Sequence, residues 1–185
     1  MSTPGSAGGS PARVLTWLAS LLTLAALPAA AATTKNLTSF DGAKLGASPA
    51  QVRKAFPKMQ VTTENLGAQA FPSEFLVRYA VADVKIPETG KTGVVEFRFW
   101  KDKLWAIVVY YGAGQDQKVV EALTKKLGPP NGTNPSKPSW DAGSSQTFVE
   151  TEHQWYSITD DELSKDAQAW FYARLGQMQQ QLAPA

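Results

Sequence analysis

The stretch from Gly93 to Leu127 constrains the fold more than any other part of the chain, because it is the densest in β-branched and aromatic residues. Two apolar runs, Gly93–Trp100 and Leu104–Tyr111, are separated only by Lys101-Asp102-Lys103. Runs of this composition favour strands, and so short a connection favours a hairpin. We therefore predict an antiparallel hairpin near the centre of a sheet, followed by a helix.

The first of these runs alternates in polarity. Its residues fall on an apolar face and a mixed face: Val95, Phe97 and Phe99, against Val94, Glu96, Arg98 and Trp100. An antiparallel sheet that is covered on one side shows this asymmetry. We predict that the apolar face is core, so that Phe97→Ala is costly and Glu96→Ala costs little.

Three helices are predicted from start and stop signals. Ser48 as N-cap, followed by Pro49 and by Gln51 three positions on, forms a capping box for a short helix. Asp116–Leu127 has an apolar stripe and ends at a glycine that suits a C-cap. A final amphipathic helix is predicted after Thr159, with Thr159 as its cap.

Further strands are predicted where polarity alternates, at Glu74–Ile86 and over the whole of Thr147–Ile158. Within the latter, Phe148 is expected on one side and Trp155 on the other. The fold class predicted is α+β. It has an antiparallel sheet of about four to six strands, with two or three helices packed mainly on one face, in a single domain over residues 33–185.

Residues 1–32 have the pattern of a secretory signal peptide. A small polar segment with one positive charge, Arg13, precedes an apolar run from Val14 to Leu27 and a small-residue segment that offers cleavage sites. The apolar run is shorter than the roughly 20 residues of a spanning helix, although an uncleaved anchor is the alternative. We predict a periplasmic or secreted protein without a stable membrane anchor after cleavage.

Several function classes are disfavoured by the residues that the chain carries. It has no cysteine, which excludes disulfides, thiolate nucleophiles and cysteine zinc sites. Its lysines and arginines are scattered and its net charge is only +2, so no nucleic-acid partner is predicted. Gly112-Ala113-Gly114 lacks the remainder of a dinucleotide fingerprint, and no cofactor is predicted.

The candidate metal and catalytic residues have simpler explanations. His153 is the only histidine, and strand alternation would point Glu150 and Glu152 away from it. The acidic group Asp160–Glu162 with Asp166 matches no calcium loop and suits a helix N-terminus. No metal site and no catalytic residue is predicted.

The mixed face is the predicted partner-binding surface. It is expected to place guanidinium, carboxylate and indole groups side by side: Arg78, Glu96, Arg98, Trp100 and, from the neighbouring strand, Trp105. Tryptophan and arginine are over-represented among binding hot spots. The alternative is that the final helix covers this face and that its tryptophans are core.

Two helical motifs carry a family resemblance: Leu45-Gly46-x-Ser48-x-x-x-Val52-x-x-x-Phe56-Pro57 and Val120-x-x-Leu123-x-x-x-Leu127-Gly128-x-Pro130. In these motifs the chain resembles the small outer-membrane-assembly lipoproteins of the SmpA/OmlA type and the β-lactamase-inhibitor-like domains. The resemblance implies short helices on one face of an antiparallel sheet, in an exported binding or scaffolding module. Because there is no cysteine, the lipid attachment of the first family is not expected here.

The function predicted is therefore an exported binding or scaffolding module. Its partner would be a protein or glycan of the cell envelope, bound by the mixed face and the loop Asn131–Ser139. The alternatives are an envelope hydrolase built on carboxylates, with or without His153, and a structural protein that self-associates through its final helix.

Overall fold

The computed structural model describes residues 36–62, 76–134 and 136–182. The predicted signal peptide at 1–32 lies outside these residues. The described residues contain three helices and nine strands: β1 (Ser39–Phe40), β2 (Ala43–Lys44), α1 (Pro49–Ala55), β3 (Gln60–Val61), β4 (Leu76–Lys85), β5 (Thr92–Trp100), β6 (Lys103–Tyr110), α2 (Asp116–Leu127), β7 (Ser139–Asp141), β8 (Ser145–Glu150), β9 (Trp155–Asp160) and α3 (Asp161–Leu182).

The main sheet has seven strands in the order β3-β4-β5-β6-β9-β8-β7, and each pair is antiparallel. Strands β1 and β2 form a separate two-stranded sheet. The predicted α+β class is confirmed. The predicted range of four to six strands is too low, since Thr147–Ile158, predicted as one strand, forms two of the seven.

The apolar face of the sheet is covered by α1 and α2. The capping box of Ser48 and Gln51 is present at α1, whose only buried residue is Val52. Phe56, which ends α1, lies against Phe97 of β5 with ring centroids 4.8 Å apart. One stripe of α2 joins the same core, with Val119 fully buried. Helix α2 has the bounds that its sequence predicts.

The predicted β5–β6 hairpin is confirmed, with a tighter turn than the sequence suggests. Lys101 and Asp102 both have positive φ, at 48° and 60°, which is the conformation of the two-residue turn that matches strand twist. On β6, Arg98 pairs with Ala106 and Phe99 with Leu104, so Trp105 is the extra residue of a β-bulge.

The prediction of one strand over Thr147–Ile158 is wrong. The segment forms two paired strands, β8 and β9, joined by a turn at residues 151–154. This turn has no glycine, proline or asparagine to mark it. Gln154 supplies the left-handed residue, with φ of 53°, a conformation uncommon outside glycine and asparagine.

Helix α3 lies on the mixed face rather than beside α1 and α2. It contacts β6 and β9, and its Trp170 ring lies 5.3 Å from the ring of Trp100. The predicted cap at Thr159 is replaced by Asp160, whose carboxylate accepts a hydrogen bond from Leu163 N at 2.9 Å. No helix among the described residues is long and apolar enough to cross a membrane.

Candidate binding surface

The strand register arranges the mixed face as rows of side chains that run across the sheet. One row comprises Phe148, Ser157, Val108, Glu96 and Ala80, from β8 to β4. The neighbouring row comprises Glu150, Trp155, Tyr110 and Val94. The middle of the first row is made of small side chains, while aromatic rings lie toward β8 and charged groups toward β4. The sheet thus presents an aromatic half and a charged half on one face.

Glu96 is the centre of the charged half. Its Oε1 lies 2.6 Å from Arg98 Nε and 3.6 Å from Arg78 Nε. Its Oε2 accepts a hydrogen bond from the Tyr110 hydroxyl at 3.4 Å. Glu96 is only 8% exposed, whereas the Arg98 side chain is 25% exposed. The carboxylate therefore holds the guanidinium and the phenol in place, and the arginine remains accessible to a partner.

Burial sets the protonation behaviour around Glu96. It raises the pKa of Tyr110, and the negative charge of Glu96 adds to this effect, so the phenol stays a neutral donor. Burial also lowers the pKa of Arg78, and the neighbouring positive charge of Arg98 acts in the same direction. Glu96 opposes that shift because its carboxylate favours the charged guanidinium.

Replacement of Glu96 by alanine should lower the free energy of unfolding by about 1–3 kcal/mol, because it leaves two partly buried guanidinium groups side by side without their carboxylate. The sequence alone predicts a small cost, since it cannot show that Glu96 is buried. Urea denaturation measures the difference. The control is Glu121→Ala on the exposed side of α2, which should change stability by less than about 0.5 kcal/mol; an equally small change for Glu96→Ala would contradict the arrangement.

The two predicted tryptophans occupy different environments from the arginines. Trp100 is only 2% exposed, between the sheet and Trp170 of α3. Trp105 is half-buried in the β6 bulge, and its indole Nε1 has no hydrogen-bond partner among the described residues. At this end of the mixed face, the alternative interpretation applies: α3 covers the surface, and Trp100 is inaccessible to a partner while α3 is in place.

Phe148 and Trp155 form an aromatic pair that sequence reasoning missed. Their ring centroids lie 5.7 Å apart at an interplanar angle of 57°. Both are half-buried on the mixed face, on β8 and β9. A continuous strand would have placed them on opposite sides, so only the unrecognised turn between them brings them together. Because both rings are more exposed than that of Trp100, they are better candidates for partner contact.

A cleft of about 470 Å³ lies beside Phe148, between β7–β8 and the loop that precedes β7. Its lining is mostly polar: Asn131, Gly132, Thr133, Asn134, Lys137, Ser139, Asp141, Gln146 and Phe148. The predicted contact loop Asn131–Ser139 thus supplies one wall. The mixed face supplies the other.

The β8–β9 turn also gathers Glu150, Glu152 and His153, whose potential ligand atoms all lie within 4.8 Å of one another. The sequence prediction that these side chains diverge is wrong, because strand alternation does not continue through a turn. Lys137 Nζ already lies 2.6 Å from Glu150 Oε2. The hydrogen bond from this ammonium lowers the pKa of Glu150.

Comparison with protein-family models, with curated proteins and with solved structures finds no match for this chain. The resemblance of its two helical motifs to outer-membrane-assembly lipoproteins and β-lactamase-inhibitor-like domains therefore stays a prediction. The geometry of the mixed face is the basis for a functional proposal.

Proposed function

We propose that this chain is a periplasmic or secreted binding module whose partner contacts the mixed face of the sheet. The observation that carries the proposal is the continuity of this face beyond α3. Half-buried aromatic rings at Trp155 and Tyr110 share one row of the sheet. The Tyr110 hydroxyl donates to Glu96, the centre of the charged group, and Phe148 lies in the same row as Glu96.

The chemistry of this surface suits recognition more than stability. Aromatic and arginine side chains are the residue types that most often dominate binding energy. A partly exposed guanidinium that is already fixed by a carboxylate loses little side-chain entropy when a partner arrives. Val94, which follows Tyr110 in the same row, is 39% exposed, so apolar surface continues to that end.

The test is capture of a partner from cell-envelope extract by the tagged chain and by an Arg98→Ala/Trp155→Ala double variant. Loss of both contacts should weaken capture at least about tenfold, since each removes more than 1 kcal/mol at a hot spot. The matched control is Lys118→Ala/Tyr172→Ala, which removes a cation and an exposed aromatic ring from α2 and α3.

Circular dichroism must first show that both double variants are folded. Equal capture by the parent, the test variant and the control variant would contradict the assignment of the mixed face. Fractionation of the cells, with the mass of the recovered chain, tests export and leader removal together.

The alternative, an envelope hydrolase, has one observation in its favour. The β8–β9 turn places the imidazole of His153 near two carboxylates, and such groups can act in acid–base catalysis. Turnover that depends on His153 would support a hydrolase centred on this turn. A hydrolytic activity that survives His153→Ala and Glu152→Gln would have to be built on other carboxylates.

A further inference from the structure

We propose that the cleft beside Phe148 binds a neutral saccharide chain. The inference rests on the proposed function and gives the class of partner. It follows from four properties of the cleft: its size, the neutrality of most of its polar groups, its aromatic wall and the rigidity of its loop.

The size of the cleft suits a small part of a larger ligand. Its volume of about 470 Å³ lies within the roughly 300–1,000 Å³ of ordinary ligand sites. Its lining residue Phe148 packs against Trp155 on the next strand, with ring centroids 5.7 Å apart. A chain of sugar rings could therefore enter the cleft with one unit and continue along the aromatic half of the mixed face.

The polar groups of the cleft are mainly amides and hydroxyls, from Asn134, Gln146 and Ser139 among others. Amides and hydroxyls both donate and accept hydrogen bonds, as sugar hydroxyls do. The Gln146 side chain is half-buried and makes no hydrogen bond among the described residues, so its amide is available to a ligand.

The charges of the cleft argue against an anionic ligand. The ammonium of Lys137 is paired with Glu150 at 2.6 Å, which leaves no unpaired cation among the described residues that line the cleft. Asp141 adds a carboxylate to the lining, and this group would repel phosphate or uronate groups. A neutral, hydroxyl-rich ligand satisfies these groups at the least electrostatic cost.

The aromatic wall supplies the apolar contact that a sugar ring needs. A pyranose ring carries C–H groups on its faces and hydroxyls at its edge. Phe148 lines the cleft, and Trp155 extends the aromatic surface on the next strand. The C–H face can pack against these rings while the edge hydroxyls meet the amides, and tryptophan combines both kinds of contact.

The loop wall is held in place before any ligand arrives. Asn131 N and Gly132 N both donate hydrogen bonds to Ser139 O, at 3.0 and 3.1 Å. The Asn131 side chain donates to Asp141 O and accepts from Asp141 N, each at 2.8 Å. A wall tied to β7 in this way costs a ligand little ordering entropy. Glycine at 132 permits the close approach, since a Cβ there would lie 1.9 Å from Ser139 Oγ.

The test is calorimetric titration of the full chain with three neutral tetrasaccharides, made of β-1,4-linked glucose, α-1,4-linked glucose and β-1,4-linked N-acetylglucosamine. We expect at least one to bind and to quench tryptophan fluorescence, because Trp155 packs against Phe148 of the cleft. Phe148→Ala and Gln146→Ala should each weaken that binding about tenfold, which corresponds to about 1.4 kcal/mol. Gln117→Ala and Tyr172→Ala, which remove an exposed glutamine and an exposed aromatic ring elsewhere, should leave it unchanged.

Gln146→Ala removes only a half-buried polar side chain, so it keeps the test valid if Phe148→Ala unfolds the protein. Binding that is unaffected in both cleft variants would overturn the proposal, as would failure of all three saccharides to bind. If the mixed face still captured a protein from extract in that last case, the binding function would stand with a protein partner. Loss of capture as well would count against both proposals.

Discussion

Replacement of Phe97 by alanine should lower the free energy of unfolding by about 3–5 kcal/mol. Phe97 is fully buried in the middle of β5, on the apolar face. Its ring touches Phe56 at the end of α1, so the substitution removes both sheet-core contacts and the contact that anchors a short helix. A seven-residue helix has little stability without such packing.

Urea denaturation followed by circular dichroism provides the measurement. The matched control is Tyr172→Ala, because Tyr172 is an aromatic residue that is 68% exposed on α3. That control should change stability by less than about 0.5 kcal/mol. A Phe97→Ala loss below about 1 kcal/mol, at an unchanged denaturant slope, would show that Phe97 is not at the centre of the core.

The apolar face is the part of the fold that the sequence predicts best, because local signals and tertiary packing agree there. Alternation in β5 identifies Val95, Phe97 and Phe99 as core, and each is at most 1% exposed. The capping box of α1 and the glycine at the end of α2 use local backbone chemistry, which does not depend on distant residues. For α2, the bounds predicted from the residue types are those of the structure.

The candidate site is predicted only in its charged half. Arg78, Glu96 and Arg98 are read directly from strand alternation, and β4–β5 pairing brings them together. Phe148 and Trp155 are missed because a turn built on Gln154 carries no compositional signal. The same turn brings Glu150, Glu152 and His153 together. The positive φ of Gln154, which the sequence does not signal, therefore accounts for both the aromatic pair and this cluster.

The sequence pattern also does not predict on which face of the sheet α3 packs. An amphipathic helix needs an apolar surface, but its periodicity does not say which side of the sheet supplies that surface. Here Trp100 supplies an apolar surface at one end of the mixed face, and Trp170 of α3 packs on it. The partner-binding residues predicted on one strand are consequently divided, with Trp100 covered and Arg98 partly accessible.

Replacement of Trp100 by alanine should destabilise the protein by about 3–5 kcal/mol and loosen α3 selectively. Trp100 is 2% exposed and contacts Trp170, while the ammonium of Lys101 lies 5.0 Å from its ring centroid. Without the indole, α3 loses a main contact with the sheet, whereas α1 and α2 keep their own core on the opposite face. The effect on α3 should therefore exceed the effect on α2.

Amide hydrogen exchange in α3 and α2 measures this difference. Local opening of α3 accelerates exchange in α3 alone, whereas global unfolding accelerates it in both helices. Trp170→Ala serves as the reciprocal variant and should accelerate exchange in α3 by the same route, while leaving the apolar core intact. Exchange that rises equally in α2 and α3 would show that Trp100 belongs to the common core instead. Selective acceleration of exchange in α3 would establish that this helix opens independently of the apolar core. It would also establish that α3 covers the mixed face at Trp100 and leaves the rest of that face accessible.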